Sequence, residues 1–227
     1  MEIKELYVSA AKDKEYSEIG EALEAARVYA DGDHLVFENC RFDGFQDTLF
    51  TAPLPKKELQ PGSFKGPKQF APRKWGRHLY KDCYIAGNID FIFGSATAYF
   101  ENCEIFMRER NGEVKGYATA PSTYEEQKYG YVFNNCRFTS ECPPESCYLG
   151  RPWRNHAKSV VLNSEIGAHI HRDGWHDWNK KDAWETMFFA EYGNYGQGAD
   201  VSHRAPYVKI LTQEQAAEYT RENVIGF

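Results

Sequence analysis

A six-residue pattern recurs along this chain and limits the folds open to it. The pattern is apolar, any, Asn/Asp, Cys, any, apolar. It reads Phe37-Glu-Asn-Cys-Arg-Phe42, Tyr80-Lys-Asp-Cys-Tyr-Ile85, Phe100-Glu-Asn-Cys-Glu-Ile105 and Phe133-Asn-Asn-Cys-Arg-Phe138. Val161-Leu-Asn-Ser-Glu-Ile166 is a further copy with Ser164 in the cysteine place. A short alternating unit repeated at irregular intervals predicts an all-β fold, the stacked coils of a parallel β-helix. Asp47 and Asp90 each follow a pattern cysteine by the same offset. Residues so matched lie one rung apart, roughly 4.8 Å. Two carboxyls at that spacing cannot both ionise freely, so one is expected to keep its proton while the other is charged. Such a pair is suited to act as an acid and a nucleophile.

The chain has 227 residues, enough for one domain with a real core. Aromatic residues make up 15% of it, which suits a carbohydrate cleft and equally a β-rich interior. The net charge of −6 comes without a basic stripe or arginine-rich tail, so nucleic acid is not an expected partner. No run of 18 apolar residues is present, so no membrane span is expected. Met1-Glu-Ile-Lys-Glu5 lacks the apolar stretch of a signal peptide. As written, the chain is expected in the cytoplasm; a trimmed mature domain of a secreted protein would look the same. Four of the six cysteines (Cys40, Cys83, Cys103, Cys136) belong to the pattern, which predicts a buried stack of thiols and no disulfide framework. Cys142 and Cys147 flank Pro143-Pro144. Reduced thiols are expected there too, with a mutual disulfide as the alternative.

Along the chain, residues 3–9 read as a strand. Ser17 is a candidate helix cap, and Ile19, Ala22, Leu23 and Ala26 share a helical face. A strand and cap helix over residues 1–28 would close one end of the solenoid, where open strand edges need cover. Residues 51–77 form a long loop rich in Pro, Gly and Lys, either a solvated excursion or a cleft wall against an acidic polymer. Residues 213–222 predict a closing helix at the other terminus. His169, His171 and His176 invite a metal reading, but no Cys or carboxylate set accompanies them at a ligand spacing, and neither metal nor cofactor is expected.

Three segments carry the candidate chemistry: Gly44-Phe-Gln-Asp-Thr-Leu49, Asp90-Phe-Ile-Phe-Gly94 and Tyr148-Leu-Gly-Arg-Pro-Trp153. With Gly174-Trp-His-Asp-Trp178, they resemble the motifs of pectin methylesterases (pectinesterases), from about Ala30 to the C-terminus. The resemblance implies a right-handed parallel β-helix of the pectin-lyase-like kind and hydrolysis of galacturonate methyl esters in pectin or oligogalacturonate. It further implies Asp90 as nucleophile, Asp47 as general acid and base, Gln46 as oxyanion donor and Arg151 as the group holding the nucleophilic carboxylate. Trp153, Trp175 and Phe91 would line the sugar cleft. Each residue also has a plainer reading. Asp47 and Asp90 would serve as turn residues, Gln46 as part of an amide ladder and Arg151 as a structural ion pair. Trp153 and Trp175 would then be core.

The front of the chain departs from the family pattern. Residues 6–27 resemble the start of the family's domain, while the segment from Tyr29 resembles a later coil, as though several coils were deleted near residue 28. A second oxyanion-hole glutamine is missing, and one alignment puts Glu24 in its place. Losing one such donor costs ~10²–10³ in rate. The alternative expectation is therefore a catalytically impaired β-helix that binds pectin or a partner, and a further one is a truncated product that does not fold. Oligomeric state and the choice between methyl and acetyl ester stay open.

Overall fold

Each copy of the six-residue pattern is a strand, a corner and a second strand. The corner is where Asn or Asp is needed. Asn39, Asp82, Asn102, Asn135 and Asn163 all take φ between 49° and 54°. That left-handed conformation is strained for most side chains, and Asn and Asp adopt it most readily after glycine. The strand before each corner contributes Phe37, Tyr80, Phe100, Phe133 or Val161 to the interior, and the strand after it contributes a buried Phe or Ile.

The computed structural model describes residues 28–59, 61, 62, 64 and 69–227. Among these residues, three parallel sheets stack coil upon coil. The first runs Val28–Ala30, Leu49–Thr51, Ile89–Gly94, Gly116–Pro121, Cys147–Gly150. The second runs Leu35–Glu38, Arg77–Lys81, Thr97–Glu101, Tyr131–Asn134, Lys158–Leu162, Phe188–Tyr192, Val208–Ile210. The third runs Arg41–Asp43, Tyr84–Gly87, Glu104–Met107, Arg137–Ser140, Glu165–Ile166. Every pairing is parallel, and the register puts Phe37, Tyr80, Phe100, Phe133 and Val161 on consecutive rungs.

That register builds the core. Phe37 stacks on Tyr80 at 4.9 Å, Tyr80 on Phe100 at 4.7 Å and Phe100 on Phe133 at 4.4 Å, all nearly coplanar. Each contact of this kind contributes ~0.5–1.5 kcal/mol beyond area burial. Beside the ring ladder runs the thiol ladder. Cys83, Cys103 and Cys136 each donate to the carbonyl of Phe37, Tyr80 and Phe100 in the preceding coil. Ser164 fills the next place and accepts from the backbone N–H of Cys136 at 3.0 Å. A small donor is what the place requires, which is why Ser substitutes for Cys. All six cysteines are free thiols.

Two flanking elements differ from the sequence expectation or refine it. Residues 213–222 are not one helix. They comprise a helix Gln213–Ala216, a 3-10 turn Ala217–Tyr219, and a second helix Arg221–Ile225 that begins anew at Thr220. Thr212 and Thr220 each cap a helix by accepting the N–H three residues on. Val224 and Ile225 pack with Leu79 and Tyr99, so the segment covers the outer face of the second sheet. The 51–77 loop is anchored: Ala52, Leu54 and Phe64 are buried against Phe50, Phe93 and Trp153 on the outer face of the first sheet. The expected strand and cap helix of residues 1–28, and Glu24, lie outside the described residues apart from Val28, which is in a strand.

The ring ladder yields a stability test. Truncating Phe100→Ala removes stacking on both sides and leaves a cavity, so urea unfolding is expected to show a loss of about 3–5 kcal/mol. Val36→Ser, on the same sheet but 55% exposed, is expected to stay within about 0.5 kcal/mol.

Candidate active site

The outer face of the first sheet holds the candidate chemistry. Leu49 pairs with Ile92 in the ladder between Leu49–Thr51 and Ile89–Gly94, and the Asp47 N–H donates to the Ile89 carbonyl at 3.0 Å. Continued by two residues, that register sets Asp47 beside Asp90. Both depart from strand geometry, at φ 53° and 51°. On the other side, Ile89 pairs with Tyr117 and Ile92 with Thr119, so two residues of one strand face one of its neighbour. Asp90 occupies this bulge, a device that re-aims a side chain. Gly87 makes room for the turn that carries Gln46, because a Cβ there would stand 2.4 Å from the Phe45 carbonyl oxygen.

Asp90 is gripped from the next-but-one coil. Arg151 donates through Nε to Oδ1 at 2.8 Å and through Nη2 to Oδ2 at 2.6 Å. Both partners are largely withdrawn from water, so this fork is stronger and better oriented than a surface pair. The guanidinium lies 3.9 Å from the Tyr117 ring centroid and 3.6 Å from that of Trp178. Two aromatic faces therefore fix its plane, and its backbone N–H is tied to the Thr119 carbonyl at 2.9 Å.

Asp47 is also buried, and among the described residues no cation is ion-paired to it. Burial first, and the charge of Asp90 second, push its carboxyl well above the ordinary value of 3.8. A hydrogen bond from Gln46 and the charge of Arg151 pull the other way and are outweighed. Asp47 thus holds its proton at pH values where an ordinary carboxyl has lost it. Gln46, Asp47, Asp90 and Arg151 come together as one cluster drawn from three coils.

The expected sugar contacts do not follow. Trp175 is 0% exposed, stacks on Phe189 at 4.6 Å and donates from Nε1 to Glu191 at 3.1 Å. Glu191 is in turn buried in an ion pair with Arg204, so this tryptophan belongs to a polar-capped core. Phe91 is 0% exposed and faces the solenoid interior, since the bulge at Asp90 turns the following residue inward. Trp153 is 3% exposed because the 51–77 loop lies over it. Two other motif rings stand near the dyad: Phe45, 40% exposed one residue before Gln46, and Trp178, which covers Arg151 opposite Tyr117. Both stood within the singled-out motifs; the signal for Phe45 was its place next to Gln46. Tyr117 and Tyr148 stack at 5.5 Å, with His176 against both. His171 and His176 pack on Tyr148, while His169 is buried elsewhere. Among the described residues, no group of three or more His, Cys, Asp or Glu side chains is placed to hold a metal ion.

Comparison with known proteins gives the same direction. Residues 73–226 match the pectinesterase family model. A probable pectinesterase/pectinesterase inhibitor of Arabidopsis thaliana is 33% identical over 210 residues, covering 88% of this chain and 31% of that protein. The pectin methylesterase PemA of Erwinia chrysanthemi aligns in three dimensions with a TM-score of 0.64 and 33% identity, covering 86% of this chain and 58% of that one. A pectin methylesterase solved in complex with a hexasaccharide aligns with the same TM-score and coverage at 34% identity. The chain thus spans about a third of the length of the first relative and 58% of these structures. With the parallel coils, the clustered motifs and these matches together, the chain belongs to the pectinesterase family and has its right-handed parallel β-helix fold.

Proposed function

We propose that this chain hydrolyses methyl esters of polygalacturonate to free carboxylate and methanol. The observation that carries the reading is the pair of carboxyls one rung apart in opposite situations: Asp90 clamped by Arg151, Asp47 buried beside that charge with its carboxyl pushed well above the ordinary value. The family match and the hexasaccharide bound by a related enzyme support an oligogalacturonate as the substrate.

In this mechanism an Asp90 oxygen attacks the ester carbonyl, and the Gln46 amide donates to the oxyanion that forms. Asp47 gives its proton to the departing methanol oxygen, leaving an acyl-Asp90 anhydride. The Asp47 carboxylate then takes a proton from water as that water attacks the acyl carbon. Collapse restores the Asp90 carboxylate and frees the galacturonic acid, which loses its remaining proton to solvent to become the carboxylate. Asp47 ends with its proton back, so the cycle closes without a cofactor. Arg151 keeps one carboxylate orientation through both halves, and its Tyr117 and Trp178 faces resist displacement.

A second reading is pectin binding with little turnover. It is favoured by the sequence, which lacks the second oxyanion-hole glutamine of the family pattern. Methanol release from highly methylated polygalacturonate separates the two. The parent chain is expected to release methanol, Asp90→Asn to lose at least about a thousandfold, and Gln46→Ala to lose ~10²–10³ in kcat with little change in KM. Absence of release from a cooperatively melting parent protein would leave only the binding reading.

Asp47 also makes a pH prediction. Its folded pKa lies above its unfolded value, so the protonated carboxyl favours the folded state. That contribution is complete below the unfolded value and disappears as pH rises through the folded one. Asp47→Asn, which cannot ionise, is therefore expected to leave Tm unchanged below the ordinary carboxyl pKa and raise it increasingly above, while abolishing turnover. Turnover of the parent is expected to fall as pH rises through the Asp47 pKa. Thermal melts and methanol assays across pH read both; a Tm lowered by the substitution at neutral pH would contradict the assignment.

A further inference from the structure

Trp178 reaches Arg151 from a turn that its own backbone does not favour. Trp178 and Asn179 both take the left-handed conformation, at φ 55° and 56°. For a residue as bulky as tryptophan that conformation is uncommon and persists only with support from its surroundings. Two side chains of the same turn give that support. His176 accepts the Trp178 N–H through Nδ1 at 2.9 Å, and Asp177 accepts the Asn179 N–H through Oδ1 at 2.8 Å. Asp177 is in turn held through Oδ2 by the Trp184 indole N–H at 3.0 Å. The turn sets the Trp178 ring 3.6 Å from the Arg151 guanidinium, opposite Tyr117, and Arg151 carries the fork on Asp90.

Of the two supports, only His176 has an ordinary titration range near neutral pH. An imidazole Nδ1 accepts a hydrogen bond only while it is unprotonated, and in imidazolium both ring nitrogens are donors. Protonation would therefore turn an N–H toward the Trp178 N–H and bring a further cation toward Arg151. The ring is half-buried, with its backbone N–H fixed to the Gly150 carbonyl at 3.0 Å. It packs edge-on against Tyr117 of the strand Gly116–Pro121 at 5.6 Å, and against Tyr148 of Cys147–Gly150 at 5.2 Å. The charged and titratable groups around it are these two phenols, Asp177, Arg151, Asp173 and His171. Burial, the largest influence, lowers its pKa below the ordinary 6.5; Asp177 and Asp173 oppose that, and Arg151 and His171 reinforce it. His176 is thus an acceptor at neutral pH and becomes a donor only in acid.

We infer that His176 is a positioning residue for the reaction: neutral, it holds Trp178 over Arg151 and so steadies the clamp on Asp90; protonated, it releases that cover and slows turnover. The inference rests on the esterase reading above and adds a control of its rate by acid. It acts through two intermediaries, so its loss lowers kcat and leaves KM nearly unchanged.

Two substitutions separate the acceptor from the ring. His176→Asn loses the ring but keeps an oxygen suited to accept the N–H two residues on, and it does not protonate. His176→Phe keeps a ring against Tyr117 and Tyr148 and accepts nothing. Thermal melts confirm that each is folded. In methanol release at pH 7, His176→Asn is expected within about twofold of the parent and His176→Phe about three- to tenfold lower in kcat, the scale of one neutral hydrogen bond. The ratio of variant to parent kcat cancels what the dyad itself contributes. Both ratios are expected to climb as pH falls through the His176 pKa, the Asn ratio from parity upward and the Phe ratio from below parity toward it. Nitrogen-15 labelling of tryptophan reads the hydrogen bond without turnover, with the Trp178 amide identified by its absence in Trp178→Phe. That amide is expected to shift along one titration curve with a midpoint below 6.5 in the parent and to stay fixed in His176→Asn. Ratios flat across pH, a Phe variant as fast as the parent, or an unmoved Trp178 amide would overturn the role of His176 while leaving the esterase reading standing. A folded parent that releases no methanol would overturn the esterase reading and the positioning role with it, whatever the amide shows.

Discussion

The parallel ladder between Leu49–Thr51 and Ile89–Gly94 is the constraint on which the site depends. It fixes a rung spacing of roughly 4.8 Å between two coils and so determines how close Asp47 and Asp90 come. No side-chain choice could set that distance as firmly. The bulge at Ile89–Ile92 then turns Asp90 toward the outer face, and the next coils deliver Tyr117 and Arg151 at known offsets. The geometry of the candidate site is a property of backbone hydrogen bonding, with the core ladders of rings and thiols holding the register.

Within that frame, the electrostatics divide two identical functional groups. Arg151 satisfies both oxygens of Asp90, while Asp47 receives burial and a neighbouring negative charge. On the proposed mechanism one carboxyl attacks and the other donates a proton. Holding a buried, protonated Asp47 trades stability for function, a pattern expected where a site needs a perturbed group.

Much of this was legible in the sequence because the solenoid repeats its local chemistry. The Asn/Asp place of the pattern recurs in every copy, and the structure puts a left-handed corner at all five. The shared offset of Asp47 and Asp90 announced adjacent rungs. What the sequence did not disclose was which way individual aromatic residues face. Trp175 and Trp178 stand three apart in one segment, yet the first is core and the second covers Arg151. The backbone turns left-handed at Gly174 and again at Trp178, and no regular period carries through such a stretch. Phe91 was misplaced for the same reason, since its facing depends on a bulge that has no sequence mark. The expected helix of 213–222 runs through Thr220, which in the structure caps a second helix and marks where the first one breaks.

The central claim is that Asp47 keeps its proton beside an ionised, Arg-held Asp90. Its most direct test is a carbon-13 NMR titration of aspartate side-chain carboxyls, with Asp47 identified by its absence in Asp47→Asn. The account predicts a resonance that titrates well above 3.8 and moves down when Asp90→Asn removes the neighbouring charge. An Asp47 that titrates at the ordinary carboxyl value, unmoved by that substitution, would contradict it.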